Sequence, residues 1–142
     1  MSNVDSLERA ASGVVEQCLR DGLESLSGRD RVLFLLWCHA PQIDNGGHGA
    51  FFYNSPADYY EETVEALESL DLKPYADLLR RAAEILFSGD VPREMEERNE
   101  QIGALPDSVD DELAAIDDQY ESLGGGDRVL ESLGRWYFRN RH

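Results

Sequence analysis

Residues 44–56 read Asp-Asn-Gly-Gly-His-Gly-Ala-Phe-Phe-Tyr-Asn-Ser-Pro, and this stretch decides the fold. Its Asn-Gly-Gly run at 45–47 favours backbone angles that residues with a Cβ avoid, so it predicts a sharp corner. Three aromatic residues follow at 51–53. Pro56 then pushes the residue before it toward extended geometry, which stops the segment. We therefore predict a corner, a short aromatic helical turn and a second corner.

Hydrophobic residues recur at helical spacing on both sides of this corner. The pattern predicts helices over about residues 6–26, 30–38, 57–70, 74–87, 92–102, 108–123 and 127–140. Asp30, Ser108 and Asp127 are the predicted N-terminal caps of three of them. Pro41 is expected to end the second helix, and Met95 and Ile102 to anchor the fifth.

Residues 32–38 are apolar on every face. A helix of this kind belongs in the centre of a domain. A buried strand is the alternative, but no other segment offers a strand to pair with it, and its edges would stay unsatisfied. The prediction is an all-α single domain over residues 1–142, a bundle of seven or eight helices, with residues 1–4 frayed.

The composition favours a globular protein of one domain, since 42% of the 142 residues are hydrophobic. The net charge of −16 argues against direct binding to nucleic acid or to an acidic membrane surface, because both require clustered Lys and Arg. It favours basic proteins as partners. No signal peptide is visible and no apolar run approaches a membrane span, so a cytoplasmic protein is expected.

Two segments hold the whole acidic excess. Residues 58–71 contain six acidic residues and no basic one, and residues 90–121 contain twelve acidic residues and two arginines. The first segment places four acids on one helical stripe, with one charge roughly every 5 Å. Duplex DNA carries one charge per ~1.7 Å of its axis, so resemblance to DNA would need two or three such faces side by side. The predicted partner-binding residues are Asp58, Glu61, Glu65, Glu68, Asp110, Asp111, Asp117 and Asp118.

No motif for a cofactor, a metal or catalysis stands out. Neither glycine run has the spacing of a phosphate-binding loop, and no paired His or Cys spacing indicates zinc. We therefore predict no cofactor, no metal site and no enzyme activity. His48 could act as a lone general base, although a side chain that packs or hydrogen-bonds at the turn is the simpler interpretation. Cys18 and Cys38 are expected to be buried free thiols, with a disulfide as the alternative.

The Asn-Gly-Gly corner, the Phe51-Phe52 pair and Asn54-Ser55, with an amphipathic helix on either side, resemble the bacterial DNA mimic protein nineteen-like family. The resemblance extends over about residues 30–137. It continues in Asp118-Gln119-Tyr120 and in Trp136-Tyr137-Phe138. This chain has His48 where relatives usually have an aromatic residue, and Ala50 where they often have Gln.

The resemblance implies an acidic, non-enzymatic protein that acts as a DNA mimic and occupies the DNA-binding surface of a basic transcription regulator or nucleoid protein. The alternative hypothesis is a protein-interaction module, immunity-like or homodimeric, that uses apolar surface near Tyr59 or Trp136. A third hypothesis is a small hydrolase that uses His48 and a carboxylate.

Overall fold

A computed structural model describes residues 3–139, with side chains from residue 5 onward. Seven α-helices form this part of the chain, and it contains no strand. They are α1 (Asn3–Asp21), α2 (Gly28–Tyr53), α3 (Tyr60–Ser69), α4 (Lys73–Phe87), α5 (Met95–Gly103), α6 (Val109–Ser122) and α7 (Gly125–Arg139), with 3-10 turns at Leu23–Ser25 and Ser55–Tyr59. The prediction of an all-α bundle is confirmed. Fraying at residues 1–2 lies outside the described residues, and α1 begins at Asn3.

Helix α2 is the centre of the bundle, as its apolar sequence predicts. It contacts each of the other six helices. Leu33, Leu36 and Ala40 on its first half are fully buried, and so are Phe51 and Phe52 beyond the corner. Burial of each such side chain contributes roughly 1.5–3 kcal/mol to folding, which explains why the remaining helices arrange themselves around this segment.

The start and the middle of α2 differ from the prediction. Ser27, not Asp30, is the N-cap, because the Ser27 hydroxyl accepts a hydrogen bond from the Asp30 backbone N–H at 3.2 Å. Asp30 instead accepts a hydrogen bond from the Tyr137 hydroxyl at 3.0 Å. The helix also continues through Pro41. The buried residues Ala40 and Ile43 on either side hold the helix against the core, which offsets the backbone hydrogen bond that proline cannot donate.

Helix α4 contacts α3, α5 and α6. The two acidic segments also contact each other, because Arg93 and Arg98 pair with acids of residues 58–71. Helices α3 and α6 share no substantial contact. None of the described helices is long and apolar enough to cross a membrane.

Candidate functional site

The glycine corner is a real break inside α2. Gly47 has φ 77° and ψ −175°, so helical geometry stops there and resumes at His48. A Cβ on Gly47 would collide with the carboxylate of Asp117, which lies directly over it. Asp117 Oδ1 accepts hydrogen bonds from the His48 backbone N–H at 2.9 Å and from His48 Nδ1 at 2.7 Å. The corner is therefore fastened to α6 by one carboxylate.

A second carboxylate fastens the corner to α7. Asp44 Oδ1 accepts a hydrogen bond from the Gly126 backbone N–H at 3.0 Å. Helix α7 begins inside the triple-glycine run at Gly125, so this bond satisfies one of its free N-terminal donors. The predicted cap, Asp127, lies inside the helix. The cap thus comes from a residue 82 positions away along the chain.

His48 forms a His–Asp pair but cannot reach a substrate. Its side chain is 1% exposed, and its Nε2 lies in the interior without a hydrogen-bond partner among the described residues. Burial lowers the pKa of His48, while the hydrogen bond and the charge of Asp117 oppose that shift. The structure bears out packing and hydrogen bonding at the turn, and gives no geometry for the hydrolase hypothesis.

Tyr120 lies beneath the corner in a cluster of buried rings. Its ring centroid is 5.6 Å from that of His48, 6.3 Å from that of His39 and 5.5 Å from that of Tyr75. Both ring nitrogens of His39 have no hydrogen-bond partner in the described part of the chain. Burial lowers the pKa of His39 to about 3, so this imidazole is neutral at pH 7.

The acidic stripe of residues 58–71 is largely matched by the protein's own arginines. Asp58 Oδ1 lies 2.8 Å from Arg98 Nη2, and Glu68 Oε1 lies 2.9 Å from Arg80 Nη2. Glu61 lies 3.7 Å from Arg93. Arg93 is also paired with Glu62 at 3.1 Å. Of the four predicted contact residues on this stripe, only Glu65 has no ion pair within residues 3–139.

Arg98 was not predicted as an anchor. The sequence indicated Met95 and Ile102, but Met95 is 42% exposed, Ile102 is partly buried and Arg98 is completely buried. Its guanidinium donates to one carboxylate and to four backbone carbonyls, those of Phe52, Asn54, Pro92 and Arg93, at 2.7–3.0 Å. These bonds join the end of α2, the following 3-10 turn and the segment before α5. The only feature of the sequence that could have indicated the buried role of Arg98 is that it is an arginine among glutamates.

The acids of residues 90–121 have a different environment. Helix α6 carries six acidic residues and no basic one. Asp110, Asp111 and Asp118 are exposed and form no ion pair in the described part of the protein. Glu112 and Glu121 are likewise exposed and without an ion pair in the described part of the protein. They were not among the predicted contact residues, although their spacing places them on the same helix. Four exposed glutamates in and before α5, also without ion pairs in residues 3–139, extend this set: Glu94, Glu96, Glu97 and Glu100.

Asp117 differs from its neighbours on α6. Its side chain is 35% exposed and holds the glycine corner, so its first role is structural. The eight predicted contact residues therefore divide into four that have internal partners and four that do not. The second group is Glu65, Asp110, Asp111 and Asp118. Three of these four lie on α6 and one lies on α3.

The two aromatic residues named by the alternative hypothesis are less exposed than it expects. Tyr59 and Trp136 are partly buried against the core, and Tyr59 packs edge-on against Phe34 at 6.2 Å. Tyr53, 54% exposed, lines a groove of about 490 Å³ with Ile102, Leu105 and other residues at the end of α2 and the α5–α6 connection. Cys18 and Cys38 are free thiols, Cys18 buried and Cys38 partly buried.

The model of the family described as DMP19-like protein matches residues 24–141. The match includes the corner, both acidic segments and α7, and leaves out α1. No curated protein and no solved structure gives a significant match.

Proposed function

Because the chain belongs to the DMP19-like protein family, we propose that it is an acidic, non-enzymatic binding protein that occupies the DNA-binding surface of a basic protein. The partner is a transcription regulator of the helix-turn-helix class or a nucleoid protein, and the site of action is the cytoplasm. The family is DNA-mimic-like and is not a known enzyme family.

The observation that carries this proposal is the unmatched charge of α6. Fourteen residues at a 1.5 Å rise give a helix of about 21 Å, and the five carboxylates on it that have no partner among the described residues correspond to one charge per ~4.2 Å. A single strand of duplex DNA carries one charge per ~3.4 Å. Carboxylates at this axial density can replace phosphate oxygens as acceptors for Arg and Lys side chains.

The distribution of the protein's own arginines supports α6 rather than α3 as the binding face. Arg80, Arg93 and Arg98 are directed to acids of residues 58–71. Among the described residues, Arg81 reaches α6 but bonds the Gln119 amide oxygen at 2.9 Å and no carboxylate of that helix. Acids in the first turn of α6 stabilise its N-terminus, but Asp118 and Glu121 lie near its C-terminal end, where negative charge is unfavourable, so these two need a reason beyond folding. A basic partner provides one.

Capture from a bacterial lysate tests the proposal. We expect the immobilised protein to retain basic DNA-binding proteins at low salt and to release them on addition of duplex DNA. Release should also follow rising salt, because the screening length falls from about 10 Å at 0.1 M to about 3 Å at 1 M. The double variant Asp110→Asn/Asp111→Asn should retain less partner. Its control, Glu8→Gln/Glu16→Gln on α1, has the same net charge and should behave as the parent. Recovery of no basic DNA-binding protein contradicts the proposal.

The groove beside Tyr53 favours a second candidate function, a protein-interaction module that uses apolar surface. Its lining includes Leu86, Val109 and Leu113, and Tyr53 stands exposed at its side. Association through this groove, including formation of a homodimer, should be insensitive to salt and should be weakened by Tyr53→Ser. The response to salt therefore separates the two functions.

A further inference from the structure

The groove beside Tyr53 lies where the end of α2 meets the connection between α5 and α6. It has a volume of about 490 Å³, and most of the residues that line it are apolar. Tyr53 stands at its side with 54% of the side chain exposed. A cavity of about 150 Å³ holds one benzene ring, so the groove has room for roughly three apolar side chains.

The rim of this groove is acidic. Asp107 and Asp110 line it, are exposed, and form no ion pair within residues 3–139. Glu100 on α5 is also exposed and lies one helical turn before Gly103, which lines the groove. Among the described residues, no Lys, Arg or His contributes to the lining. The occupant that complements this surface therefore combines apolar side chains with positive charge.

Other occupants fit the groove less well. A twofold contact between two copies of this chain through the groove would bring their acidic rims together, and like charges across an interface repel. An extended peptide would need the edge of a sheet, and the described residues contain no strand. A proline-rich segment binds between aromatic side chains, whereas Tyr53 is the one aromatic residue that the described part of the chain contributes to this lining.

We propose that the groove docks the apolar face of an amphipathic basic helix that belongs to the partner protein. This proposal rests on the proposed function and adds a contact that carboxylates do not provide. The helix places apolar side chains at i, i+3, i+4 and i+7 in the groove, and its flanking Lys and Arg side chains meet the acidic rim and the exposed acids of α6. Charge alone accepts any basic surface, so the groove restricts the partners to those whose basic helix has an apolar face.

Two synthetic basic helical peptides test the proposal without a partner protein. Both have the same Lys and Arg residues, but one has leucine at i, i+3, i+4 and i+7 and the other has glutamine there. In isothermal titration calorimetry the leucine peptide should bind at least about tenfold tighter, because burial of a single leucine gives that ratio. Both affinities should fall as salt rises, but the ratio between them should persist, since salt screens charges and not apolar contacts.

The variant Gly103→Leu tests whether the groove is the binding site. A Cβ built at Gly103 meets no atom within 4 Å, so a larger side chain fits there without disturbing the fold and takes up room in the groove. It should weaken the leucine peptide about tenfold and change the glutamine peptide by less than about twofold. Gly13→Leu, the same substitution at an equally open position on α1, is the matched control and should bind both peptides as the parent does. Tyr53→Ser removes the exposed side of the groove and should also weaken only the leucine peptide.

Equal affinity for the two peptides, or equal losses of both in Gly103→Leu, would overturn the groove proposal. A dimer of the protein alone that Gly103→Leu dissociates in analytical ultracentrifugation would overturn it too, because the occupant would then be a second copy. If the leucine peptide binds in the groove but the lysate yields no basic DNA-binding protein, the proposed function fails on its own. If the parent and Gly103→Leu capture basic DNA-binding proteins equally, only the groove proposal fails.

Discussion

Replacement of His39 by leucine should make the protein less sensitive to acid. His39 is completely buried against Phe51 and Tyr120, and neither ring nitrogen has a hydrogen-bond partner in the described part of the chain. Burial holds the pKa of His39 near 3, whereas an unfolded chain has a histidine pKa of about 6.5. Below pH 6.5 the unfolded state therefore binds a proton that the folded state does not accept.

The sign and the size of the effect follow from this difference. Stability falls as pH decreases wherever the unfolded state binds more protons, with a slope of about 1.4 kcal/mol per pH unit for one group. His39 should therefore destabilise the folded state by about 2 kcal/mol at pH 5 compared with pH 7 or above. This is a large part of the roughly 5–15 kcal/mol that stabilises a typical domain.

Urea unfolding at half-unit intervals from pH 4.5 to pH 7.5 measures the effect. In His39→Leu the slope of unfolding free energy against pH should fall by about 1.4 kcal/mol per unit below pH 6. Phe51→Leu is the control, because it changes packing in the same cluster without removing a titrating group. It should lower stability by about 1–2 kcal/mol at every pH and leave the slope unchanged. If His39→Leu keeps the parent slope, then His39 titrates normally in the folded protein and the reasoning is refuted.

Three further substitutions test the contacts that hold the fold. Arg98→Met should destabilise the protein by about 3–5 kcal/mol in urea unfolding, because it leaves one carboxylate and four carbonyls without their donor; a loss below 1 kcal/mol would show that water replaces the guanidinium. Gly47→Ala should lower the melting temperature through its positive φ and its collision with the carboxylate above it, whereas Gly13→Ala, in open space on α1, should raise stability by about 0.5–1 kcal/mol. Asp44→Ala should cost about 1 kcal/mol or more by removing the cap on Gly126, and a neutral result in thermal unfolding would contradict that role.

The features that the sequence predicts correctly are those that local chemistry determines. The Asn-Gly-Gly run at 45–47 requires a conformation that few residues adopt, and Gly47 adopts it. Residues 32–38 have no polar face, so only the centre of a bundle can accommodate them. Pro41 was misread because a proline does not end a helix when buried neighbours on both sides hold it in place.

The missed features come from residues that are distant in sequence. Helix caps are predicted from residues within about four positions of the helix end. The carboxylate that accepts a hydrogen bond from the N-terminus of α7 instead belongs to Asp44 on α2. The sequence predicts that Arg98 is a solvated charge among glutamates, because no residue close to it in sequence indicates the carbonyl groups to which it donates hydrogen bonds. Counting charge by segment likewise treats Glu68 as free, although Arg80 on the next helix pairs with it. Three-dimensional pairing, not composition, distinguishes the α3 acids from the α6 acids.

The bond between Asp44 and Gly126 also limits how this protein can evolve. A Cβ at position 126 would occupy the space of the Asp44 carboxylate, so any larger residue there must expel that side chain. Conversely, a lineage that loses the carboxylate also loses the reason to keep position 126 bare. Positions 44 and 126 should therefore be substituted together or not at all. The pair of residues at these positions should distinguish related proteins that keep this corner from those that have a different one.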